Sequence, residues 1–289
     1  MDLTKFKSMF VKKSKLLLSI DVEDWFHSEN FAKCISRNSW STQQLRVEQN
    51  VNKILEILND FGVKATFFCL GWIAERVPQL ISQIADAGHE IASHGFSHHL
   101  IYNQTPEQFR DDVSKAKSLL EDITGGEVVG YRAPTFSITD WSFPILQEVG
   151  YEYDSSVVIT DIHDRYGLVN AAVGKQAGDF FEIYQGLYEF SLPCLKILGK
   201  SIPWGGGGYF RLFPVNLYLS GLEKIISQKD FVFYCHPWEV DATLPHVEGM
   251  SFSSRFRQYV NLNKTEEKLR VLLEKSGSNC TTFKSYLQQ

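Results

Sequence analysis

No two of the five cysteines (Cys34, Cys69, Cys194, Cys235 and Cys280) stand in a Cys-x-x-Cys spacing. That scatter argues against a disulfide framework and against a zinc ribbon; Cys69 and Cys235, set inside apolar runs, read as reduced core residues. No apolar run approaches the length of a membrane span. The opening MDLTKFKSMFVKKSKLLLSIDVEDW has basic residues, but its apolar stretch LLLSI is too short for a secretory core. It runs straight into acids with no small-residue cleavage site, so a cytoplasmic location is expected. Charge of one sign is not in large excess either: 29 basic and 34 acidic residues give a net −5. This gives no reason to expect nucleic acid or an anionic membrane as partner, and leaves room only for a local basic patch. The glycine run from Gly205 to Gly208 lacks the Gly-Lys-Ser/Thr ending of a phosphate loop and reads as a flexible loop near a cleft. No low-complexity linker interrupts the 289 residues, so one domain is expected, long enough to bury a sizeable core.

What is present is an alternation of strand and helix signals. KLLLSID is a short continuous apolar run ending in acid, as in a strand buried on both faces. From Thr42 to Phe61, Leu45, Val47, Val51, Ile54, Leu55 and Leu58 fall at helical spacing, with Gly62 as the cap. KATFFCLG predicts a strand, WIAERVPQLISQIADAG a helix and HEIASH a strand. A capping box at Thr105, Pro106 and Gln108 opens the next helix, which ends near TGG. VVGYRAP, Asp140 to Val149, YEYDSSV, Pro214 to Gln228 and FVFYCHP continue as strand, helix, strand, helix and strand. Residues 160–213 break the rhythm and read as excursions decorating one end. Repeated βα units imply a parallel sheet with right-handed crossovers, either open or closed as a barrel.

The unusual polar residues sit at the ends of those strands. Asp21, Glu23 and Asp24 end the first, His94 and His98 the third, Arg132 the fourth, Asp154 the fifth and His236 the last. In parallel α/β folds these loops build the active site. If the chain turns helical after Ser93, His94 and His98, four apart, share one face and suit two nitrogen ligands on one divalent metal; the bland alternative is a solvated polar connection.

In order and separation, SIDVEDW, ATFFCLG, SHGFSH, YRAPTFS and FYCHPWE resemble the polysaccharide deacetylases of the NodB-homology (carbohydrate esterase 4) superfamily, over residues 15–240. GGGGYFRLFP and HPWEVD further resemble the branch found with exopolysaccharide and exosortase gene clusters. The resemblance implies a distorted (β/α)7 barrel with loop excursions and a C-terminal helical extension. Residues 14–275 would form a single catalytic domain, and 160–289 would carry family-specific loops and the extension. It also implies hydrolysis of N-acetyl groups on amino sugars with one divalent ion, Zn²⁺ ahead of Co²⁺, Ni²⁺ or Mn²⁺, and an N-acetylated glycan as partner.

The same resemblance assigns roles. Asp21 matches the general base, His94 and His98 the ligand pair, and His236 the general acid. Val22 stands where the family commonly has a second aspartate; strand alternation puts Glu23 on the side of Asp21 and favours it over Asp24 as metal carboxylate. Arg132 matches the arginine that orients the base through a two-pronged contact, and Asp154 an acid that supports the catalytic histidine. The usual Arg-x-Pro-Tyr-Gly becomes Arg-Ala-Pro-Thr-Phe, so the oxyanion amide would belong to Thr135. Trp25, Trp204 and Trp238 adjoin motif positions and could stack on sugar; Trp72 and Trp141 read as core, His99 as a loop residue. Two rival readings are an allantoinase-like hydrolase of another amide and a catalytically silent carbohydrate-binding protein.

Overall fold

A computed structural model describes residues 14–160, 166–176 and 178–289. Most of the N-terminal segment read above as lacking a secretory signal lies outside the described residues. In chain order the elements are β1 (Leu16–Val22), α1 (Val47–Asp60), β2 (Thr66–Cys69), α2 (Gly71–Arg76), α3 (Pro78–Asp86), β3 (Glu90–Ser93) and α4 (Pro106–Thr124). Next come β4 (Gly130–Tyr131), α5 (Ser142–Val149), β5 (Tyr153–Asp154), and two hairpins, β6 (Phe180–Tyr184) with β7 (Leu187–Phe190) and β8 (Cys194–Ile197) with β9 (Lys200–Pro203). The chain closes with α6 (Gly207–Leu212), α7 (Val215–Ile226), β10 (Phe231–Cys235), α8 (Phe252–Tyr259), α9 (Leu262–Ser276), β11 (Cys280–Thr281) and α10 (Phe283–Leu287).

The main sheet runs β10-β1-β2-β3-β4-β5-β7-β6, parallel throughout except for the antiparallel β6 at its end. Seven parallel strands with helices outside make the distorted (β/α)7 barrel. β1 is buried along its whole length, as its uninterrupted apolar run requires. Side chains alternate between two cores. Outward residues such as Leu16, Leu18, Ile20 and Phe67 pack against the helices. Inward residues (Leu17, Phe68, Ala92, Val129, Tyr153, Phe190 and Val232) meet in the barrel, where Phe283 and Tyr286 of the C-terminal segment join them. β11 pairs with the start of β1 through Leu16 and Leu17, while β1 pairs with β2 only from Ser19 onward. The C-terminal strand therefore fills the wedge where β1 and β2 diverge, and Phe283 stacks on Tyr153 at 5.3 Å beneath the barrel.

Four local expectations need correction. The first helix begins at Val47, not Thr42, because the Asp24 carboxylate, far back in the chain, accepts from the Arg46 and Val47 amides and fixes the start; Arg37–Thr42 is a separate 3₁₀ segment. The expected helix over residues 72–88 divides into α2 and α3 at Val77, since Pro78 lacks the amide needed to continue and opens the second helix instead. Residues 160–213 do more than decorate the rim: β7 inserts beside β5 as a strand of the main sheet. The Gly205–Gly208 run is packed, not flexible. A Cβ on Gly205 would lie 2.3 Å from the Val232 carbonyl, and one on Gly207 would lie 2.2 Å from a Glu239 carboxylate oxygen. The capping box at Thr105 and the left-handed Gly125 that ends α4 are present as expected. Cys69 and Cys235 are free and buried.

Candidate active site

Parity along β1 decides what faces the barrel mouth. Leu17 points inward, so Ser19 and Asp21 do as well. The Glu23 amide donates to the Asp21 carbonyl at 2.9 Å, a tight turn that brings Glu23 back beside Asp21. Inward from the end of β4 comes Arg132, fully buried and lying 4.0 Å over the Phe68 ring. Its Nη1 donates to Asp21 Oδ1 at 2.7 Å and to Ser19 Oγ at 2.8 Å. Its Nε and Nη2 donate to the Ser155 carbonyl and hydroxyl at 3.0 and 2.9 Å. The contact to Asp21 thus has one prong where two were expected, because Ser155 occupies the rest of the guanidinium.

His94 and His98 converge, but not on a helix. Gly95 at φ +70° and His98 at φ +53° fold these residues into a tight loop. Two side chains hold its backbone. Asp112 of α4 accepts from the Phe96 and Ser97 amides at 2.7 and 2.9 Å; Arg37 donates to the Ser97 and His98 carbonyls, both at 2.6 Å. A left-handed non-glycine residue costs energy and persists where the surroundings over-determine it, which this clamp does. His99 is exposed and stays out of the cluster.

Glu23, His94 and His98 each offer a buried ligand atom, all within 4.8 Å of one another. His94 Nδ1 meets the Arg132 carbonyl at 2.8 Å, which leaves Nε2 as its ligand atom. Burial pushes His94 down to about 4, so it is neutral at physiological pH with a lone pair to give. Burial alone would raise Glu23, but the neighbouring imidazoles, foremost His98 with its Nε2 at 2.6 Å, hold it far below the ordinary carboxylate range. Two imidazoles and one carboxylate suit a borderline divalent cation and leave coordination positions open. Asp24 has no oxygen to spare: Oδ1 accepts from the Trp25 amide, and Oδ2 from Arg46 and Val47.

His236, at the end of β10, places Nε2 at 3.7 Å from Glu23 Oε1 and 4.0 Å from Asp21 Oδ2. Behind it, Nδ1 lies 2.8 Å from Glu239 Oε1, and Glu239 Oε2 accepts from Arg211 Nε at 2.6 Å. Arg211 is buried and spends its other nitrogens on the carbonyls of Arg257, Gln258 and Val260. Burial opposes a charged imidazole. The bond to Glu239 and the charges of Glu23, Glu239 and Asp21 outweigh it and push His236 up to about 9. The residue behind the histidine is therefore Glu239, not Asp154. Tyr153 faces the barrel, so Asp154 must face the helices; it lies opposite Glu189 of β7, bonded to Ser156. Sequence reading missed Glu239, yet the signal was there: His236, Pro237 and Glu239 form the same kind of capping box as Thr105, Pro106 and Gln108.

Asp21, Glu23, His94, His98, His236 and Glu239 line a cleft of about 370 Å³ together with Thr135, Phe136, Tyr166, Tyr209, Leu212 and Phe256. Thr135 and Phe136 hold φ of +53° and +55°, so the wall keeps a left-handed turn without the glycine. Trp238 stacks on His236 with ring centres 5.0 Å apart and borders the cleft. Trp25 and Trp204 do not: both are buried, Trp204 against Tyr218 and Phe213. Trp72 and Trp141 pack against the core as expected.

Residues 40–153 match the family described as Polysaccharide deacetylase, and residues 155–287 match a domain of unknown function, DUF3473. A peptidoglycan deacetylase-like protein of Gibberella zeae is 34% identical over half of this chain and 44% of its own length. A peptidoglycan deacetylase of Helicobacter pylori is 30% identical over 44% of each chain. The matched part thus spans less than half the length of these curated relatives. Among solved structures, a polysaccharide deacetylase of Mycobacterium smegmatis superposes with a TM-score of 0.59 at 20% identity, covering 95% of this chain and 88% of that one, a likeness of fold.

Proposed function

Because this chain belongs to the polysaccharide deacetylase family, we propose that it hydrolyses N-acetyl groups on the amino sugars of a glycan, releasing acetate and a free amine. One observation carries the reading: the Asp21–Arg132 pair, the Glu23/His94/His98 cluster and a charged His236 meet at one cleft, which a binding protein has no need of. We read residues 14–275 as one catalytic domain, since β1 near its start and β10 near residue 235 lie side by side in the sheet.

Glu23, His94 and His98 would hold one divalent ion, Zn²⁺ by donor chemistry, whose contribution is Lewis-acid polarisation of the acetyl carbonyl and of water. Asp21 takes the proton from the attacking water, and Arg132 keeps its carboxylate oriented. The Thr135 backbone borders the place where the carbonyl oxygen gathers charge. His236 starts protonated and hands its proton from Nε2 to the departing nitrogen; Glu239 holds the ring by Nδ1. Trp238 gives the sugar an apolar wall. The N-acetylated glycan of an exopolysaccharide or its precursor is the substrate class we assign; Tyr166, Tyr209, Leu212 and Phe256, all in the second matched region, give its cleft an aromatic and apolar wall for a sugar.

Acetate release from N-acetyl sugars, their oligomers and polymeric glycans, with several divalent metals added, tests the reading. Acetate should appear with at least one glycan, and Asp21→Asn and His236→Ala should each lower turnover about 10²–10⁴-fold while still binding metal. Turnover of a small ureide in place of any glycan, or sugar binding without acetate release, would overturn it.

A further inference from the structure

On helix α8, 100° per residue places Phe252 and Phe256 about 40° apart at the crest of the solvent face, with Arg255 on one flank, Arg257 farther round on the other, and Gln258 on the far side. Gln258 is buried and bonded to Ser28 and Asn30, so the helix is fixed and the crest faces out. Phe252 is 87% exposed and Phe256 49%. The β8–β9 hairpin repeats the arrangement in miniature: Leu198 at its tip is fully exposed, between the exposed Lys196 and Lys200. The two elements border one opening. Phe256, Arg257 and Leu212 line the cleft mouth, and so does Pro203, where β9 ends, five residues after Leu198 and within about 17 Å of it.

An exposed apolar tip flanked by two cations occurs twice around one cleft, in a chain whose net charge is −5. The overall charge conceals this local sign. Solvent alone gives no reason to display two phenylalanines at a helix crest, and a purely apolar partner gives none for the four flanking cations. We propose that this face docks on the surface of a bilayer carrying anionic phospholipid, with the Phe252, Phe256 and Leu198 side chains entering the interface. Arg255, Arg257, Lys196 and Lys200 meet the phosphate groups. An apolar contact and a basic patch together make a stable peripheral anchor where either alone is marginal. Docked this way, the cleft mouth opens toward the membrane surface.

Co-sedimentation of the full chain with vesicles of phosphatidylcholine alone, and of phosphatidylcholine with phosphatidylglycerol, tests the proposal at low and high salt. Binding to the anionic vesicles should be at least tenfold tighter than to the neutral ones and should weaken with salt. A Leu198→Ser/Phe252→Ser double variant should bind at least tenfold more weakly at an unchanged melting temperature. Lys196→Gln and Arg255→Gln should each cost about fivefold, in line with the value of one cation near an anionic surface, and they decide the matter should the double variant fold poorly. Equal binding of both vesicle types, no binding to either, or variants that bind like the parent would overturn it. So would light scattering that shows a dimer lost in the Phe252→Ser variant without vesicle binding, because a second copy would then be the occupant.

Discussion

At Glu23 and Asp24, two neighbouring carboxylates are set apart by what each already touches. Glu23 faces two histidines, whereas Asp24 serves three backbone amides. Glu23→Gln should therefore weaken divalent-metal affinity more than Asp24→Asn in a calorimetric titration. Asp24→Asn should chiefly lower the melting temperature, by loosening the start of α1; the opposite order would return the ligand role to Asp24. The sequence already favoured Glu23 through strand alternation, but it misplaced the support of His236, because a motif match ignores parity. Asp154 follows an inward tyrosine and so turns away from the cleft. Glu239→Gln should lower turnover about tenfold to a thousandfold with metal binding retained, a share of what acid–base catalysis supplies. Asp154→Asn should leave turnover nearly unchanged. If Asp154→Asn proved the more harmful of the two, the assignment of Glu239 would fail. Arg132→Lys should be harmful for a reason other than a lost second prong: an ammonium reaching Asp21 abandons both bonds to Ser155.

Among the elements, strand and helix order was legible almost throughout, since apolar runs and capping residues are local signals. What escaped were features set by distant residues. The first helix starts where Asp24 dictates, β7 forms because β5 offers an open edge, and the His94–His98 loop is shaped by Arg37 and Asp112, far from it in sequence. That clamp has a measurable effect. Arg37→Ala removes both donors to the Ser97 and His98 carbonyls, and should lower metal affinity about 10- to 100-fold, the usual effect of losing a group that positions a ligand. Far-ultraviolet circular dichroism should be unchanged. An affinity equal to the parent's would show that the loop holds its shape unaided.

Across the whole molecule, the Asp154–Glu189 pair ties stability to pH. Burial, together with the neighbouring carboxyl, pushes Glu189 well up; burial raises Asp154 to about 6 from an ordinary 3.8. The folded state then binds more protons than the unfolded chain, so stability is full below about pH 4 for this pair and falls as pH rises through 6 and beyond. Glu189→Gln mimics the protonated form and should flatten that decline in melting curves taken from pH 4 to 8; an unchanged slope would falsify the coupling. The barrel's lower end carries a different kind of consequence. Thr281 and Phe283 complete the wedge between β1 and β2, and Phe283 supports the same aromatic floor, with Phe68, on which Arg132 lies. Asp21 is thus held in place through an arginine whose footing is laid in part by Phe283. Synthesis runs from the other end of the chain. Residues 280–287 follow every other strand of the sheet, so Arg132 gains the Phe283 part of its footing after the rest of the barrel has been synthesised.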